Sequence, residues 1–320
     1  MKKVTLLDTS ICSSNIGDSI IMDAIKKEIF DIFPDGSYYS TLTHDILGEV
    51  SRKLIKNNCY NFVCGTNLLS SNMRTQKQWK LGIKDYFQLN NLILLGVGWK
   101  NYENNPTLLT KFLLKKILST KFIHSVRDTY TENKLLSLGI RNVINTGCPT
   151  MWKLSKEHCK EIPTYKSDKV ILTLTDYRKS IELDKKLISI LENNYKEIYF
   201  WPQGARDYQY AQDLNLFKKN KVTLINPNLQ SFDSLLDDPK IKLDFIGTRL
   251  HSGIRALQKK HRTIIIGVDN RALEINKDTN LNVIDRNNLS LLESKINSNI
   301  ITNIILKENN IKTWKKQFIN

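Results

Sequence analysis

The feature that most constrains this sequence is an alternation of short, continuous apolar runs with longer amphipathic stretches. Runs that are apolar along their whole length, with helices between them, are typical of parallel strands covered on both faces. The first half of the chain therefore predicts an open α/β sheet. Its predicted strands are Val4–Leu7, Tyr60–Cys64, Leu92–Val97, Phe122–Val126 and Val143–Asn145, and its clearest predicted helices are Ile20–Phe33 and Tyr130–Leu138.

The same alternation begins again after a polar stretch from Ser155 to Lys169, which predicts a linker. A chain of 320 residues is long enough for two such domains, and we expect them over residues 1–160 and 161–320. The strands predicted in the second domain are Val170–Leu174, Ile198–Trp201, Val222–Ile225, Leu243–Ile246, Thr263–Val268 and Asn282–Ile284. The helices predicted there are Leu183–Tyr195, Tyr208–Phe217, Ser231–Leu236, His251–Gln258 and Leu289–Asn297.

Ligands of open parallel sheets bind beyond the carboxyl ends of the strands, near helix N-termini. The loop from Ser13 to Ser19 follows the first predicted strand. Asn15 and Asp18 in this loop either cap the next helix or, in the case of Asp18, act as a base or bind an acceptor. The Gly65-Thr66-Asn67 turn follows another strand and would let a ligand approach the backbone. The sequence has no G-x-G-x-x-G element of a nicotinamide site.

Two arginines and a histidine also follow predicted strands. Arg127 could bind a carboxylate or phosphate through two hydrogen bonds, or form a solvated pair with Asp128. Arg249 and His251 stand where a helix begins, a position that favours an anion and places a titratable imidazole beside it. Gln203 lies in a Pro-Gln-Gly segment that predicts either a plain turn or a hydrogen bond to a sugar.

The net charge of +16 leaves several partners open. Nucleic-acid binding would concentrate basic residues in a stripe with interleaved aromatics, whereas here they are spread along the chain. Attraction to an anionic membrane, attraction of anionic substrates and a simple solvated surface all fit. The five cysteines form no C-x-x-C pair and suit a reducing cytoplasm, and no histidine or cysteine has a partner at metal-ligand spacing. We expect neither a metal nor a signal peptide.

In their order along the chain, these segments resemble the polysaccharide pyruvyl transferase family. The resemblance covers roughly residues 4 to 285. The family has Gly-Asp-Pro where this chain has Gly147-Cys148-Pro149. The matching segments are an Asn-x-Gly-Asp loop at Asn15–Asp18, a glycine turn at Gly65-Thr66, a Ser-x-Arg-Asp strand end at Ser125–Asp128, and an Arg-Leu-His element with its helix at Arg249–Leu257.

The resemblance implies an α/β fold with two Rossmann-like domains facing a cleft, as in GT-B glycosyltransferases. It implies an enzyme that moves pyruvate from phosphoenolpyruvate to a sugar of a surface polysaccharide precursor as a ketal, releasing phosphate without a further cofactor. The acceptor, linked to a nucleotide or a lipid, is expected on the first domain and the donor on the second. We expect no nucleic-acid partner and a cytoplasmic location, with peripheral contact at the inner face of an anionic membrane.

The resemblance carries donor binding over to Arg127, Arg249, Leu250 and His251, and the loop acid to Asp18. In the mechanism that fits these residues, His251 donates a proton and Asp18 accepts one. The remaining residues expected to bind substrate are Asn15, Gly65, Asn67 and Gln203.

Two other interpretations use the same sequence features. A GT-B-type glycosyltransferase would take a nucleotide-sugar donor, and Glu274 would then bind its ribose. A catalytically inactive sugar-binding module is the third. The co-occurrence of Asp18, Arg127, Arg249 and His251 argues against that module.

Overall fold

The structure is a computed structural model that describes residues 1–218 and 221–319. Its chain divides into two units. The first unit comprises Met1–Ser13, Ile21–Trp152 and the described residues from Leu306 onward, and the second comprises Ser14–Ile20 and the described part of Lys153–Ile305. Ser14–Ile20 therefore belongs to unit 2, which is otherwise built from the second half of the sequence. The C-terminal segment from Leu306 belongs to unit 1, which is otherwise built from the first half. The assignment of acceptor and donor to separate domains stays a prediction.

Unit 1 contains a parallel sheet whose four strands follow the order β2-β1-β3-β4. A further parallel pair, β5-β6, continues beyond β4, because Val97 bridges to Val126 and the Gly96 amide donates to the Ser125 carbonyl at 3.0 Å. This order places a topological switch between β1 and β3. The strands are β1 (Lys3–Asp8), β2 (Ser37–Leu42), β3 (Tyr60–Cys64), β4 (Leu92–Leu95), β5 (His124–Val126) and β6 (Val143–Asn145).

Every strand predicted in the first half is confirmed, but β2 was missed. Its sequence, Ser-Tyr-Tyr-Ser-Thr-Leu, alternates polar and aromatic residues instead of running apolar. Because β2 is the edge strand of the sheet, most of its side chains remain partly accessible and a continuous apolar run is not required.

The C-terminal helix completes the core of unit 1. Ile311, Trp314 and Phe318 are buried there, and the Trp314 and Phe318 rings pack edge-on against Phe62 at 5.9 and 5.3 Å. This apolar burial explains why the end of the chain belongs with its beginning. The helices of unit 1 are α1 (Ile16–Ile32), whose first turn is counted with unit 2, α2 (Glu49–Asn57), α3 (Ile83–Gln88), α4 (Leu108–Ile117), α5 (Thr129–Ser137) and α13 (Glu308–Lys316).

A buried histidine joins β4 to β5. The Leu94 amide donates to His124 Nδ1 at 3.2 Å, and Nε2 lies 3.0 Å from the Ser119 carbonyl. Nδ1 is thus the acceptor and Nε2 carries the proton. Burial lowers the pKa of His124 to about 4, although the Ser119 carbonyl acts in the opposite direction. The imidazole is therefore neutral and structural.

Because of His124, we expect the free energy of unfolding to fall in mild acid. Because its pKa is lower in the folded protein than the ordinary 6.5, the unfolded chain takes up the proton first as the pH falls. The contribution is complete above pH 6.5 and is lost towards pH 4, and it amounts to about 3 kcal/mol. The measurement is urea unfolding across this range, compared with His124→Asn, whose amide oxygen can still accept from Leu94. Equal pH dependence in the two proteins would refute the assignment.

Unit 2 contains a six-stranded parallel sheet in the order β12-β11-β10-β7-β8-β9. Read from β9, this is the strand order of a dinucleotide-binding Rossmann sheet, with its switch point between β7 and β10. All six strands predicted in the second half are confirmed. They are β7 (Lys169–Thr173), β8 (Glu197–Phe200), β9 (Val222–Leu224), β10 (Leu243–Gly247), β11 (Thr263–Gly267) and β12 (Val283–Asp285).

The predicted linker is not wholly irregular. It contains a short helix, α6 (Lys156–Lys160), which Ser155 caps by accepting from the His158 amide and which buries Cys159. The single turn escaped prediction because five residues show no periodicity. The other helices of unit 2 are α7 (Ile181–Asn194), α8 (Asp207–Asp213), α9 (Leu229–Leu236), α10 (Leu250–Gln258), α11 (Asn270–Thr279) and α12 (Leu292–Ile296).

Candidate functional site

The switch point of unit 2 brings the ends of β7 and β10 into close contact. The Thr248 amide donates to the Thr173 carbonyl at 2.9 Å, and the hydroxyls of Thr175 and Thr248 lie 2.8 Å apart. A side chain at Gly247 would approach Thr173 to between 2.3 and 2.8 Å, so only glycine allows the two strands to meet here. The segment that follows β10 carries Arg249 into α10.

Arg249 is buried and held by two carboxylates. Its Nε donates to Asp207 Oδ2 at 2.9 Å and to the Leu174 carbonyl at 3.1 Å. Its Nη2 donates to Asp176 Oδ1 at 2.9 Å and also pairs with Asp207 Oδ1. None of these contacts uses Nη1. The guanidinium is therefore fixed in one orientation before any ligand binds, which reduces the entropy cost of binding.

Sequence reasoning missed both carboxylates and a neighbouring aromatic ring. The Tyr177 ring lies 5.0 Å from the Arg249 guanidinium and 5.8 Å from that of Arg271. Asp207 accepts from the amides of Gln203 and Gly204 at 3.1 and 2.7 Å. Asp207 is the first residue of α8, a position where acidic residues are favoured. Nothing in the sequence links Asp176 or Tyr177 to Arg249.

The glycine of the Pro-Gln-Gly segment is required by the arginine. A Cβ atom at Gly204 would lie 2.2 Å from Arg249 Nη2. Since Asp207 and Asp176 hold this guanidinium, it cannot move aside without losing hydrogen bonds. Glycine at position 204 therefore allows the backbone of the turn to lie directly against the Arg249 guanidinium.

Gln203 connects the Asn15 loop to α10. Its Nε2 donates to Asn15 Oδ1 at 2.6 Å, and its Oε1 accepts from the Ser252 hydroxyl at 3.0 Å. The backbone adds two bonds, from the Ile16 amide to the Gln203 carbonyl at 2.9 Å and from the Ala205 amide to the Ser14 carbonyl at 3.0 Å. These bonds give Gln203 a structural role in the turn, and a hydrogen bond from Gln203 to a sugar stays a prediction. Both ends of its amide are used within unit 2.

Six of the predicted site residues belong to this one unit. His251 and Asp18 lie in the first turns of α10 and α1, and both are buried, with 3% of each exposed. Leu250 is also buried, at the start of α10. The structure thus gathers the loop acid, the glutamine and the Arg-Leu-His element in the unit that has the Rossmann strand order, together with Asn15 and Arg249.

The other three predicted residues meet in unit 1. Arg127 Nη1 donates to Asn67 Oδ1 at 2.8 Å, and the turn before Asn67 contains two left-handed residues, Gly65 (φ 57°) and Thr66 (φ 49°). A side chain at Gly65 would lie 2.3 Å from the Ile21 side chain, so the turn requires glycine there. Arg127 is thereby placed near the switch point of this sheet.

The interpretation of Arg127 and Asp128 as a solvated pair is wrong. Both side chains are 1% exposed, and Arg127 Nε donates to Asp128 Oδ2 at 3.0 Å. Asp128 also accepts from the Thr131 amide at 2.8 Å and so caps α5. Arg127 Nη2 lies 2.9 Å from Asp128 Oδ2 but has no hydrogen bond of suitable geometry among the described residues. A buried N–H group of this kind is a natural contact point for an anion.

The two arginine sites share an arrangement. A Cβ atom at Gly98 would lie 2.2 Å from Arg127 Nη2. A Cβ atom at Gly204 would lie at the same distance from Arg249 Nη2. In each unit, a buried arginine therefore lies against a glycine backbone and pairs with a buried aspartate near the carboxyl end of a parallel sheet.

A model of the family described as polysaccharide pyruvyl transferase matches residues 15–270 of this sequence. The chain belongs to the polysaccharide pyruvyl transferase family. The match begins at Asn15 and extends beyond His251, so it includes every predicted site residue, and it confirms the resemblance seen in the sequence. No curated protein sequence matches this chain.

Solved structures show the fold of this pyruvyl transferase family member. The UDP-GlcNAc 2-epimerase of Methanocaldococcus jannaschii superimposes with a TM-score of 0.53 at 14% sequence identity, covering 99% of this chain and 98% of that one. The S. aureus protein MnaA superimposes with a TM-score of 0.52 at 10% identity, covering 94% and 92%. The predicted fold class, α/β with two Rossmann-like domains of the GT-B type, is confirmed.

One departure from the family pattern lies beside Arg127. Cys148 stands where the family has aspartate, and it is buried with its sulfur 3.0 Å from the Thr150 hydroxyl. Burial raises the pKa of the Cys148 thiol, although Thr150 and the Arg127 charge lower it. The thiol is therefore neutral at pH 7, and no second carboxylate at this position competes for the Arg127 guanidinium.

Two negative findings concern the described residues alone. Among residues 1–218 and 221–319, no three histidine, cysteine, aspartate or glutamate side chains are grouped so that they could hold a metal ion. In the same part of the chain, no helix combines the length and the apolar character needed to cross a membrane.

Proposed function

We propose that this pyruvyl transferase uses phosphoenolpyruvate as its donor and forms a cyclic ketal on a sugar of a surface polysaccharide precursor. The observation that carries the proposal is the family match over residues 15–270, which spans both buried arginines and the histidine at the start of α10. Two fixed guanidinium groups suit a donor that carries a carboxylate and a phosphate.

The reaction balances without a further cofactor. Protonation of the methylene carbon of phosphoenolpyruvate leaves an oxocarbenium-like carbon C2, which a sugar hydroxyl attacks. Phosphate then leaves C2, and a second hydroxyl of the same sugar closes the ketal. Of the two protons released by the hydroxyls, one replaces the proton used to form the methyl group and the other leaves with phosphate.

The side chains take the following parts in this proposal. Arg127 offers its Nη2, which has no well-aligned hydrogen bond among the described residues, to an anionic group of the donor. Arg249 offers the Nη1 edge that its two carboxylates leave uncommitted. His251 donates the proton to the methylene carbon, and Asp18 accepts the proton of the attacking hydroxyl. Because the arginines are already oriented, they can stabilise the negative charge that develops on the departing phosphate.

Phosphate release from phosphoenolpyruvate, measured against a panel of nucleotide-linked and lipid-linked saccharides, tests the function. We expect phosphate and a product heavier than the acceptor by one pyruvate less one water. A product that carries an additional hexose, with a nucleoside diphosphate released, would replace the proposal with a glycosyltransferase. In that interpretation Glu274 binds the donor, although its carboxylate lies 2.6 Å from Lys277 Nζ in this structure.

A further inference from the structure

Two neighbouring helices of unit 1 present an apolar surface to solvent. We call it the α3–α4 patch. Phe87 of α3 lies beside Lys116 of α4, whose Nζ is 5.0 Å from the Phe87 ring centroid. Surface helices normally place polar residues on the outward face, so a cluster of large apolar side chains there marks an interaction surface. Its apolar members, each between 46% and 85% exposed, are Ile83, Phe87, Leu108, Leu109 and Phe112.

These side chains are not needed for the core of unit 1. The inward face of α4 is complete, with Leu113, Leu114 and Ile117 buried. Leu108 and Phe112 are one turn apart on the outward face, as are Ile83 and Phe87 on α3. Folding alone therefore does not explain why these positions are apolar.

The exposed charged residues of α3 and α4 are all lysines. Lys84, Lys111 and Lys115 are exposed on the same two helices, and Lys116 is half-buried. The one acidic residue within these helices, Asp85, is fully buried and pairs with Arg52 at 2.7 Å. No carboxylate of α3 or α4 offsets the lysines, and the net charge of the whole chain is +16.

We propose that the α3–α4 patch docks on an anionic lipid bilayer, with its aromatic and aliphatic side chains at the acyl boundary and its lysines at the headgroups. Apolar side chains beside uncompensated lysines are the composition of helices that lie in a membrane interface. Each lysine near an anionic surface adds to binding, and this contribution is weakened by salt. The inference does not rest on pyruvyl transfer, since docking requires neither donor nor acceptor.

Co-sedimentation with vesicles tests this docking. The full chain is mixed with vesicles of phosphatidylcholine alone, or with phosphatidylglycerol added, at low and at physiological salt. One variant removes the aromatic contacts, Phe87→Ser with Phe112→Ser, and another removes two charges, Lys111→Gln with Lys115→Gln. The matched control, Ile301→Ser with Lys185→Gln and Lys186→Gln, removes an exposed apolar side chain and two exposed lysines from unit 2.

We expect the wild type and the control to bind the anionic vesicles and to bind neutral vesicles far less. The partition coefficient of each patch variant should fall by about tenfold or more. Circular dichroism checks that the variants fold, since exposed substitutions normally change stability little. If the patch variants bind as well as the control, the positive charge of the chain as a whole causes binding and the proposal fails. Loss of self-association without loss of vesicle binding would identify the patch as a contact between copies of the chain instead.

Discussion

Replacing His251 with glutamine is expected to lower turnover by about a hundredfold or more while donor binding stays largely intact. Glutamine can still donate a hydrogen bond to a phosphate oxygen, but it cannot deliver a proton to carbon. His251 is buried in the first turn of α10, next to Arg249, where helix amides favour an anionic ligand. The measurement pairs steady-state phosphate release with calorimetric titration of phosphoenolpyruvate.

Heavy water gives this prediction a second readout. In deuterated solvent, the methyl group of the wild-type product should carry solvent deuterium, because one of its hydrogens comes from an exchangeable acid. Mass spectrometry detects the label. Deuterium in the product together with full-rate turnover by His251→Gln would keep the proposed function and remove His251 from the role of proton donor.

The second large effect is expected from Arg249→Lys, which should weaken phosphoenolpyruvate binding by about tenfold or more, equivalent to about 1.4 kcal/mol. Lysine keeps the positive charge, but its single ammonium group cannot hydrogen-bond both Asp207 and Asp176 and also bind the donor as Nη1 of Arg249 would. Burial raises the pKa of the Asp207 carboxyl and Arg249 opposes this, so the substitution should also cost about 1–3 kcal/mol of stability.

A second buried arginine of unit 2 supplies the control. Arg262 pairs with Asp244 at 2.6 Å, and both side chains are buried, but Arg262 lies before β11, at the amino end of the strand. Arg262→Lys should destabilise the protein by a similar amount and leave donor binding unchanged. Equal donor affinities in the two variants would show that Arg249 has a purely structural role.

How much of the structure could be predicted from the sequence differs between the strands and the site segments. Tyr60–Cys64 and Val143–Asn145 were predicted with their observed bounds, because short apolar runs between turns report burial directly. The edge strand Ser37–Leu42 was missed because an edge strand has no such requirement. The placement of Arg249 and His251 at the start of α10 could also be predicted, since an apolar strand followed by an amphipathic helix defines that junction.

By itself, the sequence determined the α/β class and which residues follow strands, because both depend on patterns within a few neighbouring residues. Only the tertiary structure decided which of those residues meet. Gln203 bonds Asn15 across 188 positions, and Arg249 pairs with Asp176 across 73. Such pairings follow from the order of strands in the sheet and from how completely water is excluded at their ends. Local periodicity specifies neither the strand order nor the exclusion of water at strand ends. The sequence therefore left open whether Arg127 and Asp128 are solvated, and the structure shows that both are buried.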